Sequence, residues 1–223
     1  MSTQDRINWI RDLVRASGAK GVALGLSGGK DSAVVAALCH AAGLKILGTY
    51  LPIGNKSEED MKYVNLLLNH LTKNEMLTEQ GSLVEFIEFN GEDLAEIFNK
   101  FSSLVKNNSP KNDMALSNIK PRMRMTLLYA LAQSRGYLVA GTGNASEAYV
   151  GYFTKWGDGA HDFNPIGDLT KEEVVELGRE LGLPTECIER TPSAGLWDGQ
   201  TGTIEKIGMM KFLQNMKVKH ILK

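Results

Sequence analysis

Apolar residues recur at Ile7, Ile10, Leu13 and Val14 among the charges of residues 4–16, a helical period that predicts an amphipathic helix. The apolar run Val22–Leu26 reads as a short buried strand, and Asp31–Ala42 as a helix closed by Gly43. Leu44–Leu51 predicts a second strand, stopped by Pro52. Ser57 opens a helix to about Leu71, with Glu58, Glu59 and Asp60 in the first turn, where the helix dipole favours them. Val84–Phe89 gives a third strand and Glu92–Val105 another helix, while the polar, turn-forming residues 106–113 read as a mobile surface loop. Pro121 sits in the first turns of a long helix ending near Arg135–Gly136, and Tyr137–Ala140 predicts a fourth strand. Thr170-Lys-Glu-Glu173 is a capping box ahead of Val174, Val175, Leu177 and Leu181, in a helix that Gly182 and Pro184 end. Strands and helices alternating in this way predict an α/β fold, a parallel sheet flanked by helices. Ligands of such sheets gather at the carboxyl ends of the strands. The loops after Leu26, Leu51, Phe89 and Ala140 are therefore expected to border one crevice.

The first of those loops carries the chemistry. Residues 25–32 read Gly-Leu-Ser-Gly-Gly-Lys-Asp-Ser, between a strand and a helix start. A glycine-rich turn there aims backbone N–H groups and the positive end of a helix dipole at one point, an anion site. The common P-loop pattern is absent: Leu24 stands where its first glycine belongs, and Asp31 follows Lys30 where a hydroxyl should be. A carboxylate inside a phosphate cradle is repulsive unless a divalent cation bridges the two. Mg-nucleotide binding of another kind is expected, set against an ordinary tight turn. The run Ser-Gly-Gly-Lys-Asp-Ser resembles the loop of the ATP pyrophosphatases, which split ATP into AMP and pyrophosphate.

With 223 residues and 43% apolar content, the chain suits one sizeable α/β domain. A formal charge of −1 gives no electrostatic footprint for nucleic acid. No apolar run approaches the roughly 18 residues of a membrane span, and the start Met-Ser-Thr-Gln-Asp-Arg lacks a signal-peptide layout. Cys39 and Cys187 share no motif and read as small buried hydrophobes in a reducing cytoplasm. No zinc spacing occurs, and His161 has no partner at ligand spacing.

Between Ala140 and Pro165 the chain is dense in glycine, aromatics and isolated charges: Tyr149, Tyr152, Phe153 and Trp156 lie among Lys155, Asp158 and Asp162. Gly151-Tyr-Phe-Thr-Lys-Trp-Gly-Asp-Gly159, taken with the glycine loop, resembles the ammonia-dependent NAD synthetases of the N-type ATP pyrophosphatase superfamily. Ile119-Lys-Pro-Arg-Met-Arg-Met125, Asp168-Leu-Thr-Lys171, Arg190-Thr-Pro-Ser193 and Gly195-Leu-Trp-Asp-Gly-Gln-Thr201 are similar to that family as well. The resemblance covers roughly residues 4–201, a synthetase domain over 1–201 with a divergent tail over 202–223.

The resemblance implies a Rossmann-like sheet of the adenine nucleotide alpha hydrolase type in a cytoplasmic homodimer. It also implies a ligase of NAD biosynthesis that joins ammonia to deamido-NAD with ATP, releasing AMP and pyrophosphate. Carried over by motif, Gly25, Leu26, Ser27, Gly28, Gly29, Lys30, Asp31 and Ser32 would hold ATP, with Thr142, Lys171 and Ser193 as further ATP contacts. Asp31 and Glu147 would bind Mg²⁺. Arg122, Lys155 and Asp162 match contacts to deamido-NAD, and Lys155 and Asp158 catalytic positions, Asp158 beside the ammonia site. Plain alternatives stay open: Lys171 as a solvated first-turn charge, Glu147 as a helix-start charge, Asp158 as a turn residue. Arg124 is read as solvent-facing and Arg122 as functional.

After Thr201 the pattern departs: relatives continue with an acidic stretch resembling Asp-Glu-x-Glu-x-Gly, whereas Glu205 is the only carboxylate side chain here. Two rivals follow, another ATP pyrophosphatase such as a tRNA thiolase and a nucleotide-binding relative without catalysis. A glutamine-dependent synthetase is disfavoured, since neither cysteine has a nucleophile's setting.

Overall fold

The computed structural model describes residues 1–73, 83–110 and 112–190. Four parallel strands form the sheet: β1 (Val22–Gly25), β2 (Ile46–Tyr50), β3 (Val84–Glu88) and β4 (Leu138–Val139), in the order β3-β2-β1-β4. Side chains alternate across it, as the two-residue strand period requires. Val22, Leu24, Ile46 and Tyr50 enter one core, which is covered by α1 (Thr3–Ser17), α2 (Lys30–Ala41), α3 (Glu58–Thr72), α8 (Lys171–Glu180) and α9 (Thr185–Ile188). Ala23, Leu47 and Val139 face the other way, onto Leu128 and Ala132 of α6 (Ile119–Arg135). Helices on both faces bury the central strands except at Gly25, the last residue of β1, so β1 and β2 are mainly apolar along their length rather than alternating.

Local signals set the element ends. Ser2, Ser57 and Asn90 accept backbone N–H groups at the starts of α1, α3 and α4 (Gly91–Asn108), and Gly18 and Gly136 close α1 and α6 in the left-handed region. The capping box Thr170–Glu173 starts α8 as expected. Residues 106–108 are not loop: α4 continues through Asn108, whose side-chain amide donates to the Leu104 carbonyl (2.8 Å), and Lys106 meets the negative end of the dipole. A five-residue helix, α5 (Asp113–Ser117), follows under an Asn112 cap. Local polarity hid both, because their side chains satisfy the helix ends themselves. Gly91 is fixed by close approach, since a Cβ there would lie 1.9 Å from the Gly54 carbonyl oxygen. That contact pins together the loops after β2 and β3.

Arg6 is the one charged side chain of α1 that goes inside. It is 4% exposed and donates to the Pro165 carbonyl (2.5 Å) and to both oxygens of Asp168 (2.7 and 2.9 Å). The first helix is thereby tied to the segment that leads into Thr170 and α8.

Candidate active site

At the carboxyl end of β1, Leu26 extends the ladder by donating its N–H to the Thr49 carbonyl (2.7 Å) and buries its side chain against Gly48. Leu26 thus anchors the loop. Gly25 faces open space, for a Cβ there would meet nothing within 4 Å. Gly28 has φ +75° and is buried against the Asp60 backbone. The Gly29 N–H donates to Ser27 Oγ (3.3 Å), and Ser32 Oγ donates to the Gly29 carbonyl (2.9 Å). Gly29, the cap of α2, has no side chain to bond the N–H groups that follow it, so the start of α2 is an end open to an anion. Lys30 Nζ, on an 8% exposed side chain, contacts both oxygens of Asp31 (3.0 and 2.9 Å).

The loop after β4 meets this one. Ala140 bridges Phe163, and Gly141 packs on the His161 ring, where a Cβ would lie 2.7 Å away. Thr142 and Gly143 lead into α7 (Ala145–Val150). Its cap, Asn144, is 1% exposed and donates through Nδ2 to Asp31 Oδ1 (3.2 Å). Asn144 Oδ1 also accepts the Glu147 N–H (3.0 Å), while Glu147 Oε2 accepts the Asn144 N–H (3.1 Å). The backbone N–H of Lys171 donates to Ser146 Oγ (3.2 Å), which brings the start of α8 to the same point. Burial pushes the Glu147 carboxyl up; the Asn144 N–H opposes this, Asp31 adds to it, and Lys171 and Lys30 pull back.

Two half-buried carboxylates, with the Asp31 charge helping to push the Glu147 carboxyl up, suit a cation. Among the described residues no group of three His, Cys, Asp or Glu could hold one by itself. Asp31 and Glu147 are therefore residues that could hold a small hard ion only if further oxygen ligands came from outside the protein. The charge has a measurable cost. A carboxyl whose folded pKa is raised gives a protein that gains stability as pH falls from that value towards the unfolded one. Without nucleotide or metal, Glu147→Gln is expected to raise the melting temperature at pH 7–8 and to flatten its pH dependence. A lowered melting temperature in calorimetry would contradict that burial cost.

The aromatic segment lies against the start of α6. Thr154 donates through Oγ1 to Asn118 Oδ1 (3.0 Å), and Gly157 approaches Pro121. Asp158 Oδ1 accepts the Thr154 N–H (3.0 Å), so the turn-forming part of its alternative reading is present. Arg122 Nε donates to the Lys155 carbonyl (3.3 Å), and Lys155 Nζ lies 5.5 Å from the Trp156 ring centroid. Tyr149, Phe153 and Trp156 are 93%, 50% and 65% exposed, and Trp156 holds a positive φ of 59°. Asp162 is committed to the fold on both oxygens, accepting Val139 N–H (2.7 Å) and Tyr129 Oη–H (3.2 Å). Burial and this carboxylate push the Tyr129 phenol up to about 12.

Arg124 does not face solvent. Its Nε donates to the Leu51 carbonyl (2.8 Å) at the end of β2, and burial pulls the guanidinium below its ordinary value, partly offset by Tyr50, Asp158 and Asp60. The signal was present, since Arg124 shares the Pro121–Leu128 helix face, at i+3, whereas Arg122 leaves it. Asn144 was also legible, as the first residue of an Asn-x-x-Glu capping box. Ser193 and the tail over 202–223 lie outside the described residues. Cys39 and Cys187 are free and buried, with burial pushing their thiols up to about 12 and about 11.

A cradle for anionic groups, a carboxylate pair beside it and an aromatic-basic segment thus share one end of a parallel sheet. The family model described as NAD synthase matches residues 2–212. The chain belongs to the NAD synthase family. It is 46% identical over 202 residues to an NH(3)-dependent NAD(+) synthetase of Carboxydothermus hydrogenoformans, across 89% of this chain and 77% of that one. Among solved structures it is similar to an NMN synthetase from Francisella tularensis, at 38% identity and TM-score 0.73, over 90% of this chain and 77% of that one. It is also similar to an NH3-dependent NAD synthetase from Campylobacter jejuni in complex with nitrate, at 33% identity and TM-score 0.70, over 83% and 74% of the two chains. The family match runs past Thr201, beyond the stretch over which the motifs alone were recognisable.

Proposed function

We propose that this chain amidates deamido-NAD with ammonia at the expense of ATP, forming NAD, AMP and pyrophosphate through an adenylated carboxylate. The observation that carries the reading is the Asn144–Asp31 bond (3.2 Å), which joins the glycine loop after β1 to the loop after β4 at the sheet's carboxyl end. A carboxylate is inert to ammonia, so its oxygen must first be joined to AMP as pyrophosphate leaves. The Gly25–Ser32 loop and the open start of α2 suit the leaving pyrophosphate. Lys30 and Lys171 add positive charge beside it, and Thr142 lies on the facing loop. Asp31 and Glu147 would hold Mg²⁺, whose bound charge would help neutralise the phosphates. Arg122 and Lys155, held together at 3.3 Å, suit the anionic dinucleotide. Asp158, exposed and electrostatically coupled to Arg124, suits an ammonium ion awaiting deprotonation. Asp162 orders the end of β4 beside the site, and any contact it makes to substrate uses lone pairs left by Val139 and Tyr129.

The Francisella relative favours weighing a second acceptor, the carboxylate analogue of the mononucleotide NMN. Comparing kcat/KM for the two acceptors tests the choice. The dinucleotide is expected to lead by at least about tenfold, the scale set by polar contacts the shorter acceptor cannot make. The opposite order would reassign the substrate.

We further propose a cytoplasmic homodimer, with Ile97, Phe101 and Leu104 of α4 at its interface. They lie on one helix face and are 44%, 51% and 63% exposed. Sedimentation at micromolar concentration should give twice the chain mass, and a monomer would contradict this. No described helix is long and apolar enough to cross a membrane.

A further inference from the structure

Arg190, just past the cap that closes α9, reaches back to the glycine loop with a side chain only 7% exposed. Its Nη1 donates to the Gly28 carbonyl (3.1 Å), and its Nη2 donates to Asp60 Oδ1 (2.5 Å). Nε lies 3.8 Å from Glu59 Oε1, and the guanidinium carbon lies 4.6 Å from the Tyr63 ring centroid. Three residues of α3 thus aim one planar cation at one carbonyl of the anion loop.

A trans peptide is planar, with its C=O and following N–H pointing in opposite directions. Holding the Gly28 oxygen therefore fixes the direction of the Gly29 N–H, which points to Ser27 Oγ inside the loop (3.3 Å). Two adjacent glycines offer little resistance to rotation of the peptide between them. Were it to turn over, a carbonyl oxygen would replace an N–H donor at the cradle, and a carbonyl repels phosphate.

We propose that Arg190 is a positioning residue of the pyrophosphate loop, locking the Gly28–Gly29 peptide with its oxygen outward and its N–H inward. The inference rests on the loop holding the pyrophosphate part of ATP. Arg suits the task better than Lys, because a planar fork can serve the carbonyl and Asp60 together while stacking on Tyr63.

Two variants test it, Arg190→Met, which keeps much of the stem's packing on Tyr63, and Arg190→Lys, which keeps the charge. Arg190→Met is expected to raise KM for ATP and Kd for inorganic pyrophosphate about tenfold, the scale of one charge-assisted hydrogen bond. kcat at saturating ATP and KM for the dinucleotide should change less than about threefold, and Arg190→Lys should recover part of the loss. A lowered melting temperature with unchanged ATP and pyrophosphate constants would overturn the proposal, because Arg190 would then only staple α9 to α3. Equal losses for both substrates would overturn it too. Should Arg190→Met fail to fold, Arg190→Lys decides alone, and native constants in it contradict the lock. The native chain is assayed first. If it forms no AMP, the functional reading fails and the lock fails with it; native turnover with an indifferent variant rejects the lock alone.

Discussion

Asp31→Asn is expected to lower ATP-dependent turnover by at least about 10²-fold, the scale of losing one electrostatic contact at a reacting centre. The substitution keeps the size of the side chain and an oxygen able to accept from Asn144 Nδ2, so the link between the two loops survives. What goes is the charge that would face a bound cation. Stability should change little, because Asp31 is attracted by Lys30 at 2.9 Å and repelled by Glu147, and the substitution removes both effects. Steady-state kinetics and a melting curve on the same preparation check the two halves. Near-native turnover would reduce Asp31 to a first-turn charge of α2.

Gly28→Ala is expected to raise KM for ATP by at least about tenfold, equivalent to 1.4 kcal/mol of binding. Gly28 holds φ +75°, and a left-handed backbone costs a residue bearing a Cβ about 1–2 kcal/mol. The new Cβ would also lie 2.7 Å from the Asp60 carbonyl oxygen and 2.9 Å from Arg190 Nη1. The Arg190 tip can shift, but the Asp60 backbone cannot without moving the start of α3. Both costs fall on the loop that receives the leaving group. Titrating ATP against the folded variant measures the outcome, and an unchanged KM would mean that the loop's left-handed turn is dispensable for nucleotide binding.

The sheet was legible because β1, β2 and β4 are mainly apolar and end near glycine or proline, because β3 pairs β-formers with its two glutamates, and because helical periods stand between the strands. The glycine loop was legible because its residues are contiguous, and their chemistry is local. Arg124 has the charge of a surface residue, but its i+3 spacing from Pro121 places it on the inward helix face, where it bonds the Leu51 carbonyl. Asp162 shows the reverse problem. Its two structural bonds, to Val139 and Tyr129, depend on a strand and a helix that the sequence does not bring together. Arg190 stands out in the sequence only as part of the motif Arg190-Thr-Pro-Ser193. Its grip on Gly28 spans 162 positions and follows from how α9 packs beside α3.

On this reading the loop of Ser27–Ser32 receives pyrophosphate and not a transferred terminal phosphate. Incubating the native chain with ATP, Mg²⁺, ammonium and deamido-NAD, and then quantifying every nucleotide and phosphate product, tests it directly. AMP and pyrophosphate are expected in equal amounts alongside NAD, with glutamine unable to replace ammonium. ADP and orthophosphate as the primary products would contradict it.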